Sequence, residues 1–154
     1  MKIKTSLRNA TAKDIDAITN VYLRSRKELV AFAPLKHTDE SVLQWIGNVL
    51  LTKEQVIVAQ ERGIIIGMMS LTKNNGIGWI TQLYIHPEAV GHGIGTLMIK
   101  KAKAILGSPI HLYTFQENIR ASRFYERHGF HAINFDDGSG NEENCPAVLY
   151  EWIA

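Results

Sequence analysis

Cysteine is nearly absent from this sequence of 154 residues, in which Cys145 is the single example. One cysteine excludes an internal disulfide framework and any zinc site built from several thiolates, and it is typical of a reducing compartment. Apolar runs long enough to span a membrane are also missing, and residues 1–8 lack the apolar segment of a secretory signal peptide. We therefore expect a protein of the cytoplasm without membrane contact.

The sequence also lacks a clear excess of either charge. Its 17 Lys and Arg residues nearly balance 15 Asp and Glu residues, and the formal net charge of +2 is too small and too dispersed to indicate a nucleic-acid-binding surface. The six histidines include no H-x-x-x-H pair on one predicted helix and have no cysteine partner nearby. We expect neither nucleic acid nor a bound metal.

What the chain does have is apolar material, since 45% of its residues are hydrophobic. A chain of this length and composition can bury one ordinary core without further cross-links. No segment repeats with a period of 20 to 50 residues and none is of low complexity. We expect one domain over residues 1–154.

The N-terminal part predicts one strand followed by two helices. Alternation of polar and apolar residues over 2–8 indicates a strand, and residues 11–14 have the composition of a helix N-terminus. Pro34 interrupts this pattern, and either Thr38 or Asp39 can cap a second helix. The residues expected on the buried side of that second helix are Val42, Trp45, Ile46 and Val49.

Three strands are predicted next. The β-branched runs 56–59 and 64–69 are joined by a turn containing Gly63, so they read as a hairpin. Residues 74–76 (NNG) supply another turn. A third run, 79–86, is ended by the proline that follows, because proline cannot donate to a sheet.

The C-terminal half alternates helices and strands. A helix begins in the glycine-rich segment 91–95, and a short strand follows at 110–115. A further helix covers 118–128 and ends at Gly129, which is suited to a left-handed conformation. The apolar positions of the first of these helices are Ile94, Leu97, Met98, Ala102 and Ile105. The two final strands are predicted at 130–135 and 147–152.

The resulting order, βααβββαβαββ, predicts an α/β (α+β) fold: a mixed central sheet of six to seven strands with helices on both faces. The strands at 79–86 and 110–115 flank a helix, so we expect them to be parallel. The crevice between them is the expected ligand site.

The sharpest functional signal is the segment 85–96 (IHPEAVGHGIGT), where a strand leads through a glycine-rich loop into a helix. The N–H groups of a first helical turn lack intrahelical partners, and glycines allow close backbone approach, so a pyrophosphate would fit here. The spacing is wrong for a Rossmann fingerprint, and Gly95 stands where a P-loop has its lysine. The loop alone leaves phosphate binding and a simple turn equally open.

Residues 83–87 (LYIHP) precede this loop, and residues 118–130 (NIRASRFYERHGF) form a second motif after it. In its element order and in these two separate motifs the chain resembles the GNAT acetyltransferase superfamily. The loop of that family reads Gln/Arg-x-x-Gly-x-Gly/Ala, and here Val90 stands where Gln or Arg is common. The resemblance implies the GNAT fold and an N-acetyltransferase that moves an acetyl group from acetyl-CoA to an amine, without a metal.

The resemblance also implies a cofactor site. The backbone of Leu83, Tyr84 and Ile85 would bind the pantetheine arm like an added strand, and Asn118 would hydrogen-bond the cofactor near its thiol. Tyr125 would give its proton to the departing thiolate, since a phenol with a pKa of about 10 is protonated at neutral pH; packing in the core is the alternative. The residues that would hold the pyrophosphate are Gly91, His92, Gly93, Ile94, Gly95 and Thr96.

Two connections, 32–37 and 136–144, would flank the thioester. An N–H near Leu83 or Tyr84 would bind the developing oxyanion. Four carboxylates within the later connection favour a cationic or aminoacyl acceptor, and a solubilising turn is the alternative. The candidate general bases are His37, Glu142 and Glu143. The residues expected to line the acceptor site are Phe32, Leu35, His37 and Trp79.

Two other functions stay open at this point. The first is a non-catalytic acyl-CoA-binding or sensing domain on the same fold. The second is a nucleotide-binding module, which the loop spacing disfavours. The expected partners are acetyl-CoA and a small-molecule or peptide amine, and a homodimer formed through a late strand is an open alternative to a monomer.

Overall fold

A seven-stranded mixed sheet, in spatial order β1-β2-β3-β4-β5-β7-β6, forms the centre of the computed structural model, which describes residues 4–154. Its strands are β1 (Thr5–Asn9), β2 (Gln55–Glu61), β3 (Ile64–Asn74), β4 (Ile77–Ile85), β5 (Ile110–Phe115), β6 (His131–Phe135) and β7 (Ala147–Trp152). Neighbouring strands are antiparallel except for β4 and β5, which are parallel. The predicted order of helices and strands along the chain and the predicted parallel pair are confirmed, while residues 2 and 3 of the predicted first strand lie outside the described residues.

Helices cover both faces of this sheet. They are α1 (Ile15–Leu29), α2 (Asp39–Trp45), α3 (Leu51–Lys53), α4 (Ile94–Leu106) and α5 (Ile119–Arg127), with a π-helical turn at Ile46–Leu50 between α2 and α3. Alternate residues of β2 point to opposite sides. Val56 and Val58 pack in one core beneath α1 and α2, while Ile57 and Ala59 pack in the other beneath α4 and α5. Within residues 4–154, none of the helices has the length and apolar character that a bilayer crossing requires.

Two residues expected in the core lie at the surface instead. Val49 is 37% exposed, because the π-helical turn holds more residues than an α turn and brings Leu50, which is 2% exposed, to the buried side. Leu97 is 42% exposed, because the buried arc of α4 passes through Ile99 rather than through Leu97. Both predictions were wrong since they assumed one ideal helical stripe.

The turns follow the local sequence closely. Arg62 and Gly63 both have positive φ, as do Asn75 and Gly76. Positive φ at both central residues is typical of the two-residue type I′ hairpin turn, which asparagine and glycine adopt readily. The two hairpins predicted from these turns are therefore confirmed.

The start of α1 is fixed by an ion pair between Arg8 and Asp14. The guanidinium donates to both carboxylate oxygens, with Nη1–Oδ2 and Nη2–Oδ1 distances of 2.8 and 2.9 Å. The Thr11 N–H also donates to Oδ2 at 2.8 Å, which completes a capping box at the helix N-terminus that the composition of residues 11–14 predicted. The hydrogen bonds from Arg8 lower the pKa of Asp14 to about 2, against the opposing effect of burial.

Asp14→Asn should lower the free energy of unfolding by about 1–2 kcal/mol at neutral pH. The folded-state pKa is depressed from 3.8 to about 2, so the stabilisation exists above the unfolded pKa and is lost as the pH falls through about 2. Urea unfolding of the wild type and of Asp14→Asn at a series of pH values measures the difference in their free energies of unfolding. The matched control is Asp39→Asn, which removes an exposed ion pair with Lys27 and should have a much smaller effect. If the stability difference between the wild type and Asp14→Asn did not change with pH, the ion pair of Asp14 with Arg8 would not be its cause.

The sheet opens between its two parallel strands. β4 and β5 pair only at Gly78 with Ile110 and Trp79 with His111, after which they diverge. In the same region β4 contains a bulge, since Gln82 pairs with Ser70 while Ile80 pairs with the next residue of β3. Thr81 is the extra residue, and the crevice predicted from the chain order is present at this point.

Candidate active site

The divergence of β4 from β5 opens a cavity of about 610 Å³. Its walls come from β4, from the glycine-rich loop and first turn of α4, from β5, from α5 and from the end of α1. Of the expected cofactor residues, Leu83, Tyr84 and Ile85 line it along β4, and Asn118 lines it just before α5. Tyr125, the expected proton donor, lines it from α5. The fold thus brings together two motifs that lie more than thirty residues apart.

The glycine-rich loop presents the N-terminus of α4 to this cavity. Gly91 and Gly93 have φ values of 87° and 81°, and Gly93 is the residue just before the helix. The N–H of Leu97 donates to the carbonyl of Gly93 at 3.3 Å, which is the first hydrogen bond of the helix. Earlier N–H groups of the turn have no acceptor in the preceding turn and can bind an anion. Gly91, Gly93, Ile94, Gly95 and Thr96 line the cavity, whereas the His92 side chain is exposed to solvent.

Two arginines of α5, which the sequence interpretation missed, line the same cavity. Arg120 and Arg127 are seven residues apart, so they lie on one side of the helix. Their guanidinium groups add positive charge to the walls of a cavity that already contains a helix N-terminus. The i, i+7 spacing was the available signal, and it becomes informative only once α5 is known to face the loop.

Tyr125 lies in the inner wall of the cavity and is 8% exposed. Its ring packs against the rings of Phe124, Phe130 and Tyr150. Burial, with a smaller contribution from the nearby Tyr84, raises the pKa of the Tyr125 phenol above its ordinary value. The residue therefore packs in the core and also faces the cavity, and its role as proton donor stays a prediction.

Asn118 directly precedes α5. Its Oδ1 accepts the N–H of Ala121 at 3.1 Å and so caps the helix. The side-chain NH₂ group is then the part of Asn118 that can donate to a bound cofactor.

A second cavity, of about 1000 Å³, adjoins the first. It lies between α1, α2 and the connection from β6 to β7. The residues that line both cavities are Thr81, Gln82, Tyr84, Tyr113, Thr114 and Phe115. The two cavities therefore meet where β4 and β5 separate, which is the arrangement needed for two substrates to react with each other.

Carboxylates dominate the charge of this second cavity. Asp136, Asp137, Glu142 and Glu143 all line it, together with His37 and Arg26. His37 Nε2 lies 2.9 Å from Glu142 Oε2, and both side chains are about half exposed. This pair joins the connection after α1 to the connection before β7, two segments that the sequence interpretation placed beside each other.

Arg26 was not anticipated, although it is the most buried charge of the site. Its side chain is 5% exposed, with Nη2 donating to the Ala33 carbonyl at 3.0 Å and lying 3.5 Å from Glu143 Oε1. Its Nε has no hydrogen-bond partner within residues 4–154. Burial raises the pKa of the neighbouring phenols, Tyr22 and Tyr84, and the Arg26 charge opposes that rise. Glu143 is thus held by Arg26 rather than free in the cavity.

Three expected acceptor residues support the cavity wall rather than form it. The Phe32 ring packs edge-on against Phe115 at 6.0 Å, and Leu35 packs into the core beneath α1 and α2. Trp79 stacks on Tyr113 at 5.8 Å. Trp79 lies in the part of β4 that still pairs with β5, before the strands separate.

A family model described as acetyltransferase (GNAT) family matches residues 16–130. A curated protein of Archaeoglobus fulgidus, named as an uncharacterized N-acetyltransferase, is 27% identical over 148 residues, which cover 88% of this chain and 99% of that protein. The peptidyl-lysine N-acetyltransferase YiaC of Escherichia coli is 23% identical over 146 residues, covering 95% of each chain.

Solved structures share the fold. The crystal structure of PaiA N-acetyltransferase from Thermoplasma acidophilum in complex with coenzyme A aligns with a TM-score of 0.80 at 19% identity, covering 99% of this chain and 100% of that one. The ribosomal-protein-S18-alanine N-acetyltransferase of Escherichia coli aligns with a TM-score of 0.74 at 11% identity, covering 97% and 94%. The mixed sheet with helices on both faces is thus a known architecture.

Proposed function

This chain belongs to the acetyltransferase (GNAT) family, and we propose that it transfers the acetyl group of acetyl-CoA to a primary amine by direct attack on the thioester. The observation that carries the proposal is the meeting of two cavities between β4 and β5, one beside a helix N-terminus and the other lined by carboxylates. The coenzyme would occupy the first cavity and the amine the second.

Coenzyme binding would use backbone groups more than side chains. The pantetheine arm would lie along Leu83, Tyr84 and Ile85, whose strand has separated from β5 and leaves room for an added strand. The pyrophosphate would lie against the N–H groups at the start of α4. Arg120 and Arg127 would contact phosphate groups, which offsets the missing Gln or Arg at Val90. The NH₂ group of Asn118 would bind near the thiol.

The chemistry requires a neutral amine, a donor for the developing oxyanion and a proton for the thiolate. The amine nitrogen would attack the thioester carbonyl, and an N–H near Leu83 or Tyr84 would stabilise the negative oxygen. Collapse of this intermediate breaks the C–S bond, and the Tyr125 phenol would give its proton to the departing sulfur. Because burial raises the pKa of Tyr125, the phenol carries that proton throughout the neutral range.

The acceptor would be a cationic or aminoacyl amine, either a small molecule or part of a peptide. Four carboxylates against one buried arginine give the second cavity a negative potential that attracts ammonium groups. His37 and Glu142 would contact the acceptor at the rim, and His37, Glu142 and Glu143 are the candidate bases from the sequence. Phe32 and Trp79 would act on the acceptor through Phe115 and Tyr113, which they contact, and Leu35 would act through the core beneath α1 and α2.

We also propose that residues 1–154 act as one domain in the cytoplasm, with neither nucleic acid nor a membrane as partner. The single cysteine and the balanced charge support this setting. Residues 4–154 contain no group of three or more His, Cys, Asp or Glu side chains arranged to hold a metal ion. Dimerisation through a late strand stays a proposal, which a sedimentation measurement of the mass in solution tests.

Release of free thiol from acetyl-CoA tests the proposal. We expect at least one member of a panel of polyamines, amino acids, aminoglycosides and peptides to release CoA at a rate proportional to enzyme concentration. Acetyl-CoA at about 100 times its dissociation constant should also stabilise the protein by roughly 2.7 kcal/mol, whereas ATP and NAD should not. Stabilisation without thiol release would favour an acyl-CoA-binding or sensing domain, and the absence of both would contradict acetyl transfer.

A further inference from the structure

Two hydroxyl groups converge on one carboxylate oxygen beside the junction of the cavities. Ser70 Oγ donates to Glu54 Oε1 at 2.7 Å, and Thr81 Oγ1 donates to the same oxygen in a short contact. Ser70 is fully buried in β3, while Thr81 lines both cavities. The Thr81 hydroxyl therefore connects the place where the substrates would meet with a carboxylate behind it.

The bulge in β4 places Thr81 on the side of the second cavity. In a regular strand neighbouring side chains point to opposite faces. An extra residue breaks this alternation, and here both Thr81 and Gln82 line the second cavity. Because Thr81 Oγ1 also lies 3.2 Å from the Ser70 carbonyl, the hydroxyl is held in place on its strand side. Its lone pairs stay able to accept a proton from the cavity.

Glu54 is fixed by its position between two elements. It directly follows α3 and precedes β2, its N–H donates to the Leu50 carbonyl at 3.0 Å, and its side chain is partly buried. The other carboxylates near the site have partners that hold them elsewhere: Glu143 lies against Arg26, and Glu142 pairs with His37 in a half-exposed position. Glu54 is the carboxylate whose hydrogen bond leads to a residue shared by both cavities.

We propose that Thr81 and Glu54 form a proton relay for the attacking amine, an inference that rests on the proposed acetyl transfer. Attack of the neutral amine on the thioester forms the C–N bond and leaves an ammonium on the tetrahedral intermediate. One ammonium proton passes to Thr81 Oγ1 while the hydroxyl proton of Thr81 passes to Glu54. The C–S bond then breaks, the sulfur takes the Tyr125 proton, and water restores both groups after product release. Thr81 is the catalytic residue of this relay, and Glu54 acts through it.

The experiment compares isosteric variants on the best acceptor of the amine panel. Thr81→Val and Glu54→Gln should each lower kcat about 100-fold while the KM for acetyl-CoA changes less than about threefold. Thr81→Ser keeps the hydroxyl and should retain most of the activity. The deficit of Thr81→Val should shrink from about pH 7 to about pH 10, because hydroxide can then remove the proton directly. A change in packing alone would lower the rate equally across that range.

A second threonine–glutamate pair supplies matched controls away from both cavities. Thr5 Oγ1 donates to Glu61 Oε1 at 2.5 Å between β1 and β2, so Thr5→Val and Glu61→Gln should leave kcat within about twofold. If the wild-type protein releases thiol and either Thr81→Val or Glu54→Gln keeps a near-normal kcat, the relay is overturned while acetyl transfer stands. A wild-type protein that releases no thiol with any amine would overturn both.

Discussion

Replacing Tyr125 with phenylalanine should lower kcat about 100-fold while the dissociation constant of acetyl-CoA stays within about twofold. The substitution removes one oxygen and keeps the ring that packs against Phe124, Phe130 and Tyr150. The loss should therefore fall on proton transfer to the thiolate and not on the shape of the cavity. Steady-state thiol release and calorimetric titration with acetyl-CoA measure the two quantities separately.

Tyr150 provides the control for this variant. Its side chain is also buried, and its hydroxyl donates to Glu126 Oε2 at 2.7 Å instead of facing the cavity. Tyr150→Phe should lower stability by about 0.5–1.5 kcal/mol with little change in kcat. Equal kcat losses in the two variants would show that Tyr125 acts through packing, and full turnover by Tyr125→Phe would exclude it as the proton donor.

The alkaline side of the pH profile provides an independent check. Burial raises the folded-state pKa of Tyr125 above the ordinary value of 10. The folded protein therefore keeps a proton that the unfolded chain loses above about pH 10, and the contribution of this group to stability declines only above that pH. Loss of turnover from phenol ionisation should accordingly begin above about pH 10. An alkaline limb near neutral pH that disappears in Tyr125→Phe would contradict the assignment.

Gly95→Ala should weaken acetyl-CoA binding at least about 10-fold and lower the free energy of unfolding by about 1–3 kcal/mol. A Cβ at this position would lie 2.8 and 2.9 Å from two atoms of the Phe124 ring and 3.4 Å from Ile85 Cδ1. Phe124 also packs against Tyr125 and His128, so its ring cannot move away freely. The added methyl group would displace Phe124 into the cavity or separate α4 from α5.

Two further variants isolate this steric cause. Gly140→Ala adds a methyl group in open space and should leave acetyl-CoA affinity unchanged. Phe124→Leu combined with Gly95→Ala should recover part of the loss, because the smaller side chain leaves room for the methyl group. If Gly95→Ala bound acetyl-CoA with wild-type affinity, close contact between α4 and α5 would not be needed to shape the coenzyme site.

Local sequence patterns predicted much of the fold. The bounds of β5 and β7 agree with the prediction to the residue, since each is a short apolar run between clear breaks. The hairpin turns at Gly63 and Gly76 were also identified correctly, because positive φ at these positions follows from residue type. The exposed positions of Val49 and Leu97 were not foreseen, because they depend on how each helix lies against the sheet.

The site could be predicted only where its parts lie close together in the chain. The glycine-rich loop is one continuous segment, so the sequence alone identified it as a candidate site, and in the structure it lines a cavity. His37 and Glu142 are 105 residues apart, as measured along the chain, and nothing local identifies their hydrogen bond. The contact of Arg26 with Glu143 and the hydrogen bond of Thr81 with Glu54, 27 positions earlier, are likewise not identified by local sequence. Two successive polar residues, Thr81 and Gln82, were nevertheless a visible break in an apolar strand.

The central sheet is weakly hydrogen-bonded in its middle, between β4 and β5. Two residue pairs join β4 to β5, whereas six pairs join β5 to β7, so the strands on either side of the gap form two half-sheets fastened at one end. A pantetheine arm lying in that gap would supply backbone-like partners to the open edges and tie the halves together. Coenzyme binding would then also join the two halves of the sheet. Protein without coenzyme would therefore unfold at a lower temperature than the coenzyme-bound protein.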